Sequence, residues 1–302
     1  MKPFSCTIFH FSHTQHLSFM DRRQFTLASL AALADPLFAD GVPNKLIASK
    51  ANDALLNFPK AEEIPEVAHI ERIMTDAAHK ALIIYRQIHV TKEMDNHEAR
   101  IVEKSQWELY RVLGLLLDKK TPGLDHIMCE EYINDPISRF KFSQKLGFQD
   151  NMWNVFGHEP RKFKGGLIPR VNPEFEKALR TPINRIDQVS ILARYGAGEV
   201  LAFTREDEIE MLPGADIEVE KKTDAAITSG DEKQRLLWVF EKREQALLSL
   251  VANSRLLVSY ALFGADHRWT QRIHDWNSDP DHAEQKLSAL IVSTNAVKEF
   301  RE

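Results

Sequence analysis

The sequence predicts an α/β protein: a mostly parallel sheet flanked by helices, with a helical insertion over the site. Three observations lead there. Residues 256–263 (LLVSYALF) form an apolar run with one hydroxyl, too short for a typical helix and carrying β-branched and aromatic side chains, as in a strand buried on both faces. Two further runs share that grammar, residues 81–85 (ALIIY) and residues 127–129 (IMC). Between these two, Val102, Leu109, Val112, Leu113 and Leu116 recur at three- and four-residue spacing, which marks a helix from about His97 to Lys119 with one stripe on the sheet. Strand, helix and strand then make a β-α-β unit whose crossover is right-handed.

The remaining elements follow in chain order. Residues 35–65 contain Pro36, Pro43, Pro59 and Pro65 and read as a linker with one helix near Lys45 to Leu56, so residues 40–66 are assigned to the linker and residues 67–302 to a single domain. Val67 to Lys80 has helical spacing through Val67, Ile70, Met74 and Ala77/Ala78 and is read as a helix feeding the first strand. Asp95 or Asn96 is placed to cap the long helix, and Thr121-Pro122-Gly123 ends it. Residues 134–175 combine Pro136, Pro160, Pro169 and Pro173 with Phe140, Phe142, Phe148, Trp153, Phe156 and Phe163, and read as the insertion of short helices and loops. Ile183 to Phe203 reads as helix, with Gly196 and Gly198 permitting a break or the close approach of a neighbour. Glu208 to Val219, with Pro213-Gly214, reads as a hairpin or a strand and turn; Asp231 to Asn253 is a second long helix; Trp269 to Trp276 is a shorter one, its tryptophans read as core anchors; residues 287–292 (LSALIV) give the last strand.

Composition narrows the functional classes. With 302 residues and 43% hydrophobic content the chain can bury a substantial core. A net charge of −5 and a pI near 6.2 lack the basic footprint of nucleic-acid binders, so no nucleic-acid partner is expected. Cys6 and Cys129 are too far apart in role to suggest a structural disulfide, and Cys129 falls in a core strand where a thiol is inert. No run approaches the roughly 18 apolar residues of a membrane-spanning helix. Residues 20–39 (MDRRQFTLASLAALADPLFA) have positive charge, an apolar centre and a small-residue end at Ala32-Leu33-Ala34, the layout of an export signal. Arg22-Arg23-Gln24-Phe25 resembles the twin-arginine signal, which implies a periplasmic or extracellular protein exported already folded. Residues 1–19 precede a second start at Met20 and read as an over-extended reading frame.

The chemistry collects at strand ends. Gly264 closes one strand and His267 follows three residues later; Arg86-Gln87-Ile88 leads to His89; residues 127–129 run into Glu130 and Glu131. In an open parallel sheet ligands bind beyond the carboxyl ends of the strands, so His267 is expected at the mouth of a site rather than in the core. In the second long helix Arg243 and Glu244 interrupt the apolar stripes of Leu236, Phe240, Leu247 and Leu250 and of Leu237, Leu248 and Val251. Burying them without partners would cost several kcal/mol, so Arg243 is expected to meet a partner in the crevice, while Glu244 either does so or turns to solvent.

These residues, in this order, resemble the superfamily that joins the Tiki/TraB proteins, the erythromycin esterases and the ChaN-like haem-uptake proteins. Its pattern is a strand ending in Gly-x-x-His, a second ending in Glu, a helix carrying Arg and a late strand ending in another Gly-x-x-His. Here the late motif is Gly264-Ala265-Asp266-His267, the acid is Glu130-Glu131, and Arg243 lies in VFEKREQALL; the first motif has Arg86 in the glycine position. SQWELYRVLGLL and RYGAGEVLAF also sound like this superfamily, and the likeness covers roughly residues 78 to 277. The resemblance implies one site built from His89, Glu130 or Glu131, Arg243 and His267, and either hydrolysis or haem binding.

Two enzymatic readings stay open. His89, Glu130 and His267 could hold a divalent Mn, Co or Zn whose bound water attacks an amide or ester. Alternatively no metal takes part: one histidine, oriented by the glutamate, is general base on water, and Arg243 stabilises the oxyanion. The substrate is then a small molecule or peptide. The binding alternative is haem, with His89 or His267 as iron ligand and Tyr85, Tyr132 or Tyr260 as phenolate candidates, Tyr85 and Tyr260 being read as core-facing. Arg86 in the glycine position also admits a non-catalytic relative. In every case His267→Ala is expected to abolish function and leave the fold largely intact.

Overall fold

The computed structural model describes residues 44–89, 96–130, 190–205 and 208–302. Six strands form one sheet: β1 (Val67–Ile73), β2 (Lys80–Gln87), β3 (His126–Cys129), β4 (Glu210–Pro213), β5 (Val258–Gly264) and β6 (Leu287–Thr294). Their spatial order is β1-β6-β2-β5-β3-β4. All neighbouring pairs are parallel except β1 with β6. The helices are α1 (Asn44–Leu56), α2 (Asn96–Asp118), α3 (Ile191–Tyr195), α4 (Ala197–Thr204), α5 (Ile217–Ser229), α6 (Glu232–Arg235), α7 (Arg243–Asn253), α8 (Trp269–Ser278) and α9 (Asn295–Arg301), with a π-helical segment, Leu236–Lys242, joining α6 to α7. The fold is therefore the expected α/β class with a mostly parallel sheet between helices. No helix among the described residues is long and apolar enough to cross a membrane. The insertion at 134–175 and residues 1–43 lie outside the described residues.

Strand alternation sorts the core into two layers, because successive side chains point to opposite faces. On one face Ala81, Ile83 and Tyr85 of β2 and Tyr260 and Leu262 of β5 pack with Leu109, Val112, Leu113 and Leu116 of α2, Ala51 and Leu55 of α1, and Leu201 of α4. On the other, Leu82 and Ile84, Ala261 and Phe263, and Met128 meet Leu247, Leu248 and Val251 of α7 and Trp269, Ile273 and Trp276 of α8. Each such large side chain removed from water contributes roughly 1.5–3 kcal/mol. Continuous burial along β2, β5 and β6 is what their unbroken apolar runs encode.

Two expectations need correction and two are sharpened. Val67–Ile73 is a strand, not a helix: it is the antiparallel edge of the sheet, only Val67 and Ile73 are fully buried, and its apolar spacing matches helical periodicity by coincidence. Residues 44–66 are not a linker, since Ala51, Leu55, Phe58 and Ile64 complete the first core layer. For residues 208–219 the strand-and-turn alternative holds over the hairpin: β4 runs parallel to β3, and Ile217 already opens α5, capped by the Asp216 carboxylate on the Glu218 and Val219 N–H groups. Of the two roles open to the glycines in the helix expected up to Phe203, Gly196 takes the break, its φ of 83° lying in the region that favours glycine.

One buried side chain ties the site end together. Gln106 of α2 donates from Nε2 to the Ile88 carbonyl at 2.8 Å and accepts the Ala197 N–H at Oε1, also at 2.8 Å. It thereby fixes the exit of β2, which carries His89, to the first turn of α4.

Candidate functional site

The site begins where β3 stops. The Glu130 N–H still donates to the Leu262 carbonyl at 3.0 Å, so the chain keeps strand register one residue beyond Cys129. Glu130 therefore falls on the face of Met128, toward α7 and α8. Its Oε2 accepts the Gly264 N–H at 2.6 Å. A Cβ at position 264 would lie 3.3 Å from that oxygen and 3.5 Å from Cδ2 of His267. Among the described residues the positive-φ glycines are Gly123, Gly196 and Gly230, so Gly264 is required for room rather than for turn geometry.

The next three residues fold back over the rim. The Ala265 N–H donates to the Gln87 carbonyl at 2.8 Å, and His267 Nε2 arrives 3.0 Å from Glu130 Oε1. Its Nδ1 lies 3.1 Å from Glu244 Oε1. From α7, Arg243 donates from Nη1 to the same Glu130 Oε1 at 2.9 Å and from Nη2 to Glu220 Oε2 of α5. Glu244 also accepts the Arg268 N–H at 2.8 Å and the Arg272 Nε–H at 3.0 Å.

The result is a ladder of alternating charge: Glu220, Arg243, Glu130, His267, Glu244, Arg272. The five inner side chains are at most 6% exposed, and Arg272 at 21% brings the ladder to the surface. The imidazole is ringed by Phe240 and Phe263, edge-on at 5.4 Å, and by Trp269, stacked at 5.4 Å. Water is kept from the charges, so each pair interacts in a medium of low polarity.

That environment sets the protonation. Burial alone would lower the His267 pKa, but the Glu130 carboxylate and its hydrogen bond, and then Glu244, push it up to about 9. Burial would raise Glu130; the charge and hydrogen bond of His267, then Arg243, and then His89 hold it far below the usual carboxylate range. Glu244 is likewise lowered, its burial outweighed by the His267 hydrogen bond and charge and by Arg268 and Arg272. With His267 protonated the ladder carries three positive and three negative charges and is neutral. Both imidazole N–H groups then donate to carboxylates.

Glu130, Arg243 and His267 thus come together as the sequence suggests, although His267 is 3% exposed and lies in the core rather than at the mouth. Three aromatic rings and two acids enclose it. His89 is half-buried and close enough for its charge to act on Glu130; its Nε2 is buried with no hydrogen-bond partner among the described residues. Glu131 and Tyr132 lie outside the described residues. Tyr85 is fully buried, and the Tyr260 hydroxyl donates to the Pro122 carbonyl at 3.2 Å, so both phenols belong to the core, as expected. Glu244 takes the buried alternative. Sequence reading missed Glu220 and Arg272, although the need to neutralise a buried arginine beside a buried acid was signal enough to look for a second carboxylate.

The donor set bears directly on metal binding. Both ring nitrogens of His267 and both oxygens of Glu130 are already bonded, and the Arg243 guanidinium shares Oε1. A cation placed between His89, Glu130 and His267 would have to displace a buried guanidinium, so these residues do not fit a divalent ion as arranged. Among the described residues no three His, Cys, Asp or Glu side chains are grouped to hold a metal. No protein-family model, curated protein or solved structure matches this chain.

Proposed function

We propose that this chain is a hydrolase of amide or ester bonds in a small molecule or peptide, exported by its twin-arginine-like leader, in which His89 activates water without a metal. One observation carries the reading: Glu130, Arg243 and His267, buried in a charge-balanced ladder, stand at the carboxyl ends of three parallel strands, beside a histidine whose ring nitrogen has no partner among the described residues.

The roles differ from those the motifs suggest. His267 stays protonated with both N–H groups engaged, so it is a fixed positive charge and not the base. Arg243 spends Nη1 and Nη2 on Glu130 and Glu220, so it positions the acid rather than cradling an oxyanion. Together they keep Glu130 ionised. When His89 Nε2 takes a proton from water, the imidazolium forms beside that carboxylate, which stabilises the new charge as an acid behind a histidine does in other hydrolases. The water oxygen attacks the carbonyl carbon, and the same proton passes to the leaving group as the bond breaks.

The test is turnover of 4-nitrophenyl butyrate and of a dye-labelled peptide library by purified protein. His89→Ala is expected to lower kcat/KM by about 10²–10⁴-fold, the usual worth of a general base, and a chelator to have no effect. Loss of activity with chelator, restored by Mn, Co or Zn, would overturn the metal-free mechanism; a Soret band on haem titration without turnover would favour the haem-binding alternative, and neither signal a non-catalytic relative.

A further inference from the structure

We propose that Arg86, in the position where the resemblance expects glycine, binds a carboxylate on the substrate and so makes the site selective for anionic esters or amides. The inference rests on the hydrolytic reading above and names the substrate class of that same site. Arg86 is the last residue but one of β2, paired in register with Phe263 of β5. Leu82 and Ile84 point into the α7/α8 layer, so Arg86 projects to that side too, the side of Glu130. Two strand spacings, about 10 Å, separate it from Glu130 along the rim. The Phe263 ring between them touches His267. Arg86 therefore flanks the proposed centre three residues before the proposed base.

Its surroundings leave it short of partners. The Arg86 side chain is half-buried, and its Nε is buried with no hydrogen-bond partner among the described residues, as is Nε2 of His89. The charges that act on it are Arg301, Glu71 and Asp266. Glu71 already accepts the Thr270 hydroxyl at 2.8 Å, and among the described residues no carboxylate lies within ion-pair distance of Arg86. A buried guanidinium N–H without an acceptor costs about 1–3 kcal/mol or more, and a planar carboxylate satisfies it with two parallel bonds. Glu71 and Asp266 offset Arg86 and Arg301, so one added negative charge is better tolerated than the two of a phosphate monoester.

Two measurements test this independently. In the first, kcat/KM for mono-4-nitrophenyl succinate is divided by that for 4-nitrophenyl butyrate, esters alike in length and different in charge. Arg86→Gln is expected to lower the ratio about tenfold or more, chiefly through KM, and Arg86→Lys to fall between, since a point charge replaces the fork. In the second, succinate is titrated calorimetrically into wild type and Arg86→Gln, with inorganic phosphate as the competing anion; succinate is expected to bind more tightly than phosphate and to lose about tenfold in the variant. Circular dichroism checks that the variant is folded. An unchanged ratio in a protein that hydrolyses both esters overturns the carboxylate subsite and leaves the hydrolase standing. Arg86-dependent succinate binding in a protein that hydrolyses neither does the reverse. Succinate binding that is absent, matched by phosphate or indifferent to Arg86→Gln overturns the proposal.

Discussion

The ends of β2 and β5 carry the same grammar, an apolar strand with a histidine three residues past a fixed position, and they lead to opposite chemistry. At the end of β5 the neighbour is β3, whose Glu130 presses so closely that position 264 has no room for a side chain. His267 is then locked between two acids and charged. At the end of β2 the neighbours are β5 and β6, and the acids whose charge reaches Arg86, Asp266 just past β5 and Glu71 of β1, form no ion pair with it. An arginine fits there, and His89 keeps a ring nitrogen unbonded among the described residues. A glycine in such a motif thus reports which strand lies next door more than how the backbone turns. Position 86 has no need of it.

If the β5 end is a closed charge cluster and the β2 end an open one, substitutions should separate them by stability. The largest effect is expected for Arg243→Met, which leaves Glu130 and Glu220 buried together without their cation: a loss of about 3–5 kcal/mol in urea unfolding. His267→Ala belongs with it, since Glu130 and Glu244 lose a shared partner; the expectation that its fold survives untouched is revised by the burial of all three. His89→Ala should cost under about 1 kcal/mol, as nothing described is bonded to its Nε2. Equal losses at both ends would erase the distinction.

The two ends should also differ in pH response. The His267 pKa is raised from 6.5 to about 9, so its contribution is complete below 6.5 and disappears as pH climbs through about 9. Glu130 and Glu244 are lowered from 4.5, so theirs is present above that value and fades under acid conditions. The joint contribution of these three groups is expected to hold through neutrality and fall toward pH 10, and His267→Gln to flatten the alkaline decline. A slope that persists in that variant would show that another group carries it.

Much of this was legible in the chain. The parallel core strands announce themselves because burial on both faces requires continuous apolar runs, and Glu130, Arg243 and His267 are visible as charge placed against apolar patterning. Edge strand β1 is not, because an edge residue faces the core only at intervals and Val67, Ile70 and Met74 then mimic a helix. Glu220 is hidden for a different reason. It sits in the ordinary-looking helix IEVEKKTDAAITS, and only the register of α5 against Arg243 distinguishes it from Glu218, which pairs with Lys221 at the surface. The roles of His89 and His267 could not be ranked from motifs alike in spacing; burial ranks them.

A moderate effect is expected from exchanging the motif glycines' environments. In Gly264→Ala the new methyl meets Glu130 Oε2 at 3.3 Å, and that oxygen cannot yield because Gly264, Arg243 and His267 pin its carboxylate. A loss of about 1–2 kcal/mol follows. Arg86→Gly puts at position 86 the glycine that the resemblance expects and should alter stability by less than about 1 kcal/mol, because it removes a buried donor unbonded among the described residues while adding backbone freedom to the unfolded chain. Urea unfolding of both variants decides it: a tolerant Gly264→Ala would mean that the acid is free to move, and the account of position 264 would fall.

A last effect concerns an acid with no cation bonded to it among the described residues. Glu199, next to the Gly198 that packs on Cys129 and Leu262, is pushed up to about 8 by burial, whereas Glu130, one residue past Cys129, is held low by its partners. Glu199 is therefore protonated in the folded protein at neutral pH and ionised in the unfolded chain above about 4.5, so folding is penalised increasingly from that pH up to about 8 and by a constant amount beyond. Glu199→Gln removes the penalty and keeps the shape. Its Tm should match wild type near pH 4 and exceed it at pH 9. A variant that melts lower at pH 9 would mean that Glu199 has a cationic partner after all, and the contrast between paired and unpaired buried acids would lose its second member.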